Sequence, residues 1–184
     1  MKRRAWLSLP LCAVGATAAG AQELLRAQGL QQAREGGVVL VRHASTVAGL
    51  GDPPEFRLGQ CDTQRNLSEE GRQAAQAMGQ WFRQHGLVPA AVLSSQWCRC
   101  QDTARLAFGA YQDWPALNST FAGQGDASAQ LQILRQRLRQ MPAGRLEVWV
   151  THQVIMPALT DAYPAMGEAF WVDREGRLLV RAVV

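Results

Sequence analysis

The sequence contains two runs, Gly37-Val38-Val39-Leu40-Val41 and Leu146-Glu147-Val148-Trp149-Val150, in which apolar residues follow one another with almost no polar alternation. A strand that presents apolar side chains to both of its faces must be covered on both, so these runs require a sheet with one layer above it and another below. Helical spacing supplies those layers. Residues 68–86 open with a Ser cap and two acids in the first turn, then place Ala74, Ala75, Met78, Trp81 and Phe82 at helical intervals before Gly86. A short strand at 91–93 precedes a second helix at 96–108. Residues 128–141 form a third helix, with Leu131, Leu134 and Leu138 inside and arginines outside. A further helix is expected between 154 and 162, and 169–172 with 178–183 read as a hairpin around Asp173-Arg174-Glu175-Gly176. Residues 22–34 are polar and helix-permissive, a leading helix or a loose arm. Strands alternating with helices predict a three-layer α/β/α fold with a mostly parallel central sheet, and ligands of such sheets bind beyond the carboxyl ends of the strands.

The length of 184 residues, with 47% apolar and 18% charged, suits one globular domain and excludes disordered or collagen-like classes. Residues 1–21 have the layout of a secretory signal: Lys2, Arg3 and Arg4, an apolar run, then Ala19-Gly20-Ala21 as a small-residue cleavage site. The expected division is therefore a signal peptide at 1–21 and one domain at 22–184, with a periplasmic or secreted location. A permanent anchor needs about 20 consecutive apolar residues, and this run is shorter and interrupted by Ser, Pro, Gly and Thr. Cys12 does not fit a lipidation site, because Leu11 stands where a small residue is required. Cleavage after Ala21 removes three cations and no acids, so the formal charge of +4 falls nearly to zero. No basic run remains that would hold nucleic acid.

In an oxidising compartment two of Cys61, Cys98 and Cys100 are expected to pair. A Cys98–Cys100 bridge would close a very small ring on a helix whose alternate residues point apart. Cys61 joined to Cys98 or to Cys100 is the better arrangement. Metal binding is not expected, since Cys-x-Cys with one distant Cys lacks zinc spacing and a nearby His.

Reactive residue types gather where the fold class puts ligands. Arg42-His43 follows the first strand, Ser94-Ser95 with Arg99 follows the second, and Thr151-His152 follows the third. A neutral imidazole is a competent nucleophile toward phosphorus, and two arginines can hold the equatorial oxygens of a phosphoryl group in transfer. His152 can add a hydrogen bond or a positive charge. His85, beside Gly86, reads as a cation at a helix end.

Four segments in this order, Val38-Val39-Leu40-Val41-Arg42-His43-Ala44, Asn66-Leu67-Ser68-Glu69-Glu70-Gly71-Arg72, Leu93-Ser94-Ser95 through Arg99 to Thr103-Ala104, and Val150-Thr151-His152, resemble the histidine phosphatase superfamily, also called phosphoglycerate mutase-like. The resemblance covers about residues 37–172. It implies that His43 accepts the phosphoryl group, that Arg42 and Arg99 bind phosphate, and that His152 completes the pocket without metal or cofactor. The commonest first motif of the family is Arg-His-Gly. Ala44 stands in place of that glycine here, as in the family's small phosphohistidine phosphatases. A carboxylate acid, present in many members between the second arginine and second histidine, has no recognisable motif here. Asp126 is the best-placed candidate by order and loop context, and equally a cap for the helix that follows; Asp102 is its rival, or a partner of Arg105.

Thr46 and Ser45 are candidate hydroxyl donors to phosphate, Arg65 a third cation and Glu168 a bordering residue, each with an equal reading as ordinary surface. A bridge from Cys61 to Cys98 or Cys100 would pin the long loop at 44–66 to the helix carrying Arg99. The expected function is an exported, metal-independent phosphatase acting on a small phosphomonoester or phosphoramidate through phospho-His43. It needs no nucleic acid, and no membrane anchor after cleavage. A mutase-like phosphotransferase is disfavoured by export and short length. A non-catalytic phosphate-binding or envelope-interaction protein is disfavoured by the intact set of His43, Arg42, Arg99 and His152.

Overall fold

In the computed structural model, which describes residues 18–183, the elements follow in the order α1 (Ala18–Glu35), β1 (Gly37–Arg42), α2 (Glu69–Gln84), β2 (Ala91–Ser94), α3 (Cys98–Phe108), β3 (Gln112–Asp113), α4 (Ala127–Arg139), β4 (Leu146–Thr151), α5 (Ile155–Thr160), β5 (Glu168–Val172) and β6 (Leu178–Val183). The predicted signal segment lies largely outside the described residues, with Cys12 in it, and only Ala18–Ala21 appear, in the first turn of α1. Among the described residues no helix is long and apolar enough to cross a membrane.

The sheet has the order β3-β2-β4-β1-β5-β6. β3, β2, β4 and β1 run parallel, while β5 and β6 form the antiparallel hairpin expected from the sequence. Alternation along β1 divides the core in two. Val39 and Val41 join Met78, Phe82, Ala104 and Trp171 on the face covered by α1, α2 and α3. Val38 and Leu40 join Leu134, Leu138, Trp149 and Met156 on the face covered by α4 and α5. The three layers follow from those two side-chain sets.

Residues 22–34 are no loose arm. They belong to α1, whose Leu25, Leu30 and Ala33 enter the first core, and Gln22 and Arg26 donate to the Val183 carbonyl at 3.0 and 2.9 Å. β3 has no counterpart in the sequence pattern: both of its residues are exposed and its pairing with β2 is made by backbone alone. α3 starts two residues later than the sequence suggests, because the Gln96 amide donates to Asn118 Oδ1 and the Trp97 amide to Ser95 Oγ, which makes 95–97 a turn. Arg137 is no simple outward arginine. Its guanidinium reaches the wholly buried Glu147, which also receives Arg145 and the Trp149 indole.

Candidate active site

The parallel order places the ends of β1, β4 and β2 side by side, and the ladder continues for one bond past each outer strand: the His43 amide donates to Thr151 O and the Ser95 amide to Val150 O, both at 3.0 Å. His43 and His152 thus leave adjacent strands at the same level, with ring centroids 5.5 Å apart. Arg42 ends β1 and Arg99 sits in the first turn of α3. With Asp52 and Arg65, these four residues line one cleft of about 380 Å³.

His43 is buried, and its Nδ1 lies 2.9 Å from the carbonyl of Ala44. A carbonyl can only accept, so Nδ1 carries the hydrogen and Nε2 keeps its lone pair. Burial lowers the pKa of His43 to about 3, the carbonyl bond opposes this, and the charges of Arg99, Arg42 and Arg65 reinforce it. The ring is neutral across the physiological range. His152 is pushed well down as well, first by burial and then by His43 and the same arginines. Its Nε2 lies 2.8 Å from Ser95 Oγ and 3.4 Å from Cys100 Sγ, which fix the ring from behind.

The cations are held by their surroundings. Arg42 donates to Pro164 O at 2.9 Å, and Arg65 donates through Nε to Gly51 O and through Nη1 to Thr46 Oγ1. Burial and mutual repulsion lower the pKa of Arg42, yet a guanidinium stays charged. The Nε atoms of Arg42 and Arg99 are buried and have no acceptor among the described residues. An oxyanion with several acceptor atoms is the chemistry that satisfies such donors.

Asp52 is the carboxylate of the cleft. It takes Arg99 Nη1 at 2.7 Å, the Arg65 amide at 3.0 Å and the Trp97 indole at 3.0 Å. Burial pushes its pKa up, but the Arg99 contact, the Arg65 amide and the Trp97 bond outweigh that and hold it below the usual carboxylate value. A disulfide joins Cys61 to Cys98, and Cys100 is free and buried. It ties the loop after β1 to the first residue of α3, next to Arg99.

The motifs, the order of elements and these positions agree with one known family: a profile described as the histidine phosphatase superfamily (branch 1) matches residues 38–137.

The chain belongs to the histidine phosphatase superfamily.

Solved structures with the same fold include TTHB049 from Thermus thermophilus, 22% identical with a TM-score of 0.55, covering 80% of this chain and 99% of that one. The protein histidine phosphatase SixA complexed with tungstate is 16% identical with a TM-score of 0.53, covering 79% and 95%. A candidate alpha-ribazole-5'-P phosphatase from Escherichia coli K-12 is 17% identical with a TM-score of 0.54, covering 79% and 94%. No curated protein sequence matches the chain.

Several residues proposed for the site stand elsewhere in this superfamily member. Asp126 is not among the residues lining the cleft: its exposed carboxylate caps α4 by accepting from the Ala129 amide at 3.0 Å, the helix-cap role the sequence offered as its alternative. Thr46 is not among the residues lining the cleft, and its hydroxyl accepts from Arg65 Nη1. The Ser45 carbonyl receives the Ser68 amide. Glu168 is buried but bound by two nitrogens of Arg181, Nε and Nη2. Asp102 pairs with Arg105 and Arg72. His85 caps the end of α2, with Nδ1 2.8 Å from Trp81 O. Arg65, in contrast, does line the cleft. Sequence reasoning misses Asp52 altogether; the available signal is that only Asp52, Glu55 and Asp62 are acidic between His43 and Arg65. Among the described residues no group of three or more His, Cys, Asp or Glu side chains could hold a metal ion.

Proposed function

We propose that the protein is an exported, metal-independent phosphatase that hydrolyses a small phosphomonoester or phosphoramidate through a phosphohistidine on His43. The observation that carries this is the neutral His43 ring, its Nδ1–H given to Ala44 O, beside Arg42, Arg65 and Arg99. The Nε2 lone pair attacks phosphorus while the bond to the leaving oxygen or nitrogen breaks and its electrons depart with that atom, which takes a proton from solvent. The arginines hold the equatorial oxygens and stabilise the charge that spreads over them. Water then attacks the phosphorus, the Nε2–P bond breaks, and its electron pair returns to the ring. The proton of that water leaves with the product phosphate, and Asp52, ionised and bonded to Arg99, holds that guanidinium in the cleft.

Export rests on the signal-like segment at 1–21 and on the Cys61–Cys98 bond, which persists in an oxidising compartment.

The test is hydrolysis of 4-nitrophenyl phosphate with and without chelator, together with alkaline-detergent trapping of protein incubated with a 32P-labelled phosphomonoester. Wild type should keep its rate in chelator and yield an acid-labile, base-stable label. His43→Ala should lose both, and Arg99→Ala should lose about 10²- to 10³-fold in kcat/KM. The exposed Arg174 is a sound control for arginine loss, whereas Arg137 is not, given its contact with Glu147. A label that survives in His43→Ala sinks the assignment.

A further inference from the structure

The cleft has two parts of opposite character. Its charged residues, Arg42, Asp52, Arg65 and Arg99, stand with the two histidines at the ends of the strands and the start of α3. The outer wall is formed by Leu50, Pro53, Pro54 and Phe56 from the loop after β1, Phe121 from a turn before α4, and Met166 before β5. The other lining side chains on that side are uncharged, Ser119, Gln124 and Gln153 being the polar ones. Leu50 is 89% exposed, Phe121 44% and Met166 38%, so apolar surface stands in water around a strongly cationic floor.

This wall is built in. Phe56 packs on Trp97 with centroids 5.7 Å apart, and Trp97 is itself bonded to Asp52. Phe121 lies against Gly51, 3.4 Å from where a side chain there would begin. The turn that presents it contains Ala122 at φ 56, a left-handed conformation that a non-glycine residue adopts only when its surroundings impose it.

We infer that the site selects phosphate monoesters of a compact, uncharged, apolar alcohol, and selects against sugar phosphates and substrates with a second phosphate. This rests on the phosphatase reading above. The floor holds one phosphoryl group. Among the described residues the remaining lining offers an ester group no cation for a second anion, and only Ser119, Gln124 and Gln153 as side-chain partners for a sugar's several hydroxyls, so that some of them would lose water without replacement. An apolar chain or ring instead covers Leu50, Phe121 and Met166 and leaves water with them. An aromatic alcohol and a short lipid-like one share this chemistry, and leaving-group acidity separates aryl from alkyl esters on its own. The alkyl series below holds that acidity nearly constant.

The experiment measures kcat/KM for ethyl, butyl and hexyl phosphate, phenyl phosphate, glucose 6-phosphate and fructose 1,6-bisphosphate, with acetyl phosphate as an activated substrate whose two-carbon group reaches no further than that of ethyl phosphate. The expected result is a rise of about fourfold for each methylene that the wall takes out of water, more than tenfold from ethyl to hexyl, with both sugar phosphates below hexyl phosphate. Leu50→Ala and Phe121→Ala, both at exposed positions, should flatten that rise. If phenyl phosphate depends on Phe121 and hexyl phosphate does not, the natural group is aromatic; the reverse favours a chain. Turnover of acetyl phosphate with no dependence on chain length, or a preference for glucose 6-phosphate, overturns the inference and leaves the phosphatase reading standing. Failure to turn over acetyl phosphate and every ester overturns both.

Discussion

His43 is discharged by burial and by three neighbouring cations, and the features that keep its ring neutral also make it an acid-sensitive point of the fold. Its folded pKa of about 3 lies below an unfolded value near 6.5. Between those values the unfolded chain binds a proton that the folded chain refuses, so stability is complete above pH 6.5 and falls as pH drops toward 3. The slope is about 1.4 kcal/mol per pH unit for one such ring, and His152 acts in the same direction. Denaturant midpoints at pH 7.5 and 5.0 should show the loss, reduced in His43→Asn; a flat profile would contradict the neutral ring. Asp52 works with the same sign lower down, losing its contribution as pH falls below its unfolded value near 3.8. Removing it leaves the buried Arg99 without its anion, so Asp52→Ala should cost about 3 kcal/mol and at least tenfold in kcat/KM. Asp126→Ala should cost about 1 kcal/mol as a lost helix cap with kcat/KM within twofold. That pair of variants separates the two carboxylates. Arg42, His43 and His152 could be read from the sequence because each lies at or just beyond a recognisable strand end, and Arg99 because it opens the helix that follows the second strand. Asp52 could not, because its bond to Arg99 spans 47 residues and its loop has no periodicity to place it.

At the scale of elements, α2 shows how closely the helices approach their neighbours. A side chain at Gly79 would begin 2.0 Å from the Ala107 carbonyl of α3, and one at Gly71 would begin 1.9 Å from the Ser45 carbonyl, two residues after His43. Neither neighbour is a flexible side chain that could step aside. Gly79→Ala should therefore lose about 2–3 kcal/mol by forcing α2 and α3 apart, read as a lower Tm with kcat/KM of the folded fraction little changed. Gly71→Ala should lose both, because it displaces the backbone that follows His43. The limits of α2 were legible: Ser68 caps it, Glu69 and Glu70 lie in its first turn, and Gly86 turns the chain at φ 66 just beyond it. β3 was illegible for the opposite reason. Gln112 and Asp113 bury nothing, and the strand exists only because β2 offers it an edge.

Over the whole molecule, the sheet and helices form a frame on which the chain between β1 and α2 is laid as a long loop, and the disulfide is what fastens that loop to the frame near Arg99. The bond closes a separation of 37 residues, so its loss should cost about 3–4 kcal/mol through the freedom returned to the unfolded chain. Cys61→Ser should also raise KM more than it lowers kcat, since Asp52, Leu50 and Phe56 lie on the released segment. Steady-state kinetics of that variant, with and without reductant, is the check; wild type in reductant should move the same way. The free Cys100 is wholly buried, and burial pushes its thiol up to about 12. That protection exists only after α3 has settled on the sheet. A chain oxidised earlier offers Cys61 two partners two residues apart, and the wrong choice would drag the inner side of α3 outward. The folded arrangement therefore acts as its own proofreader: once α3 is docked, Cys98 is the sulfur left within reach of Cys61.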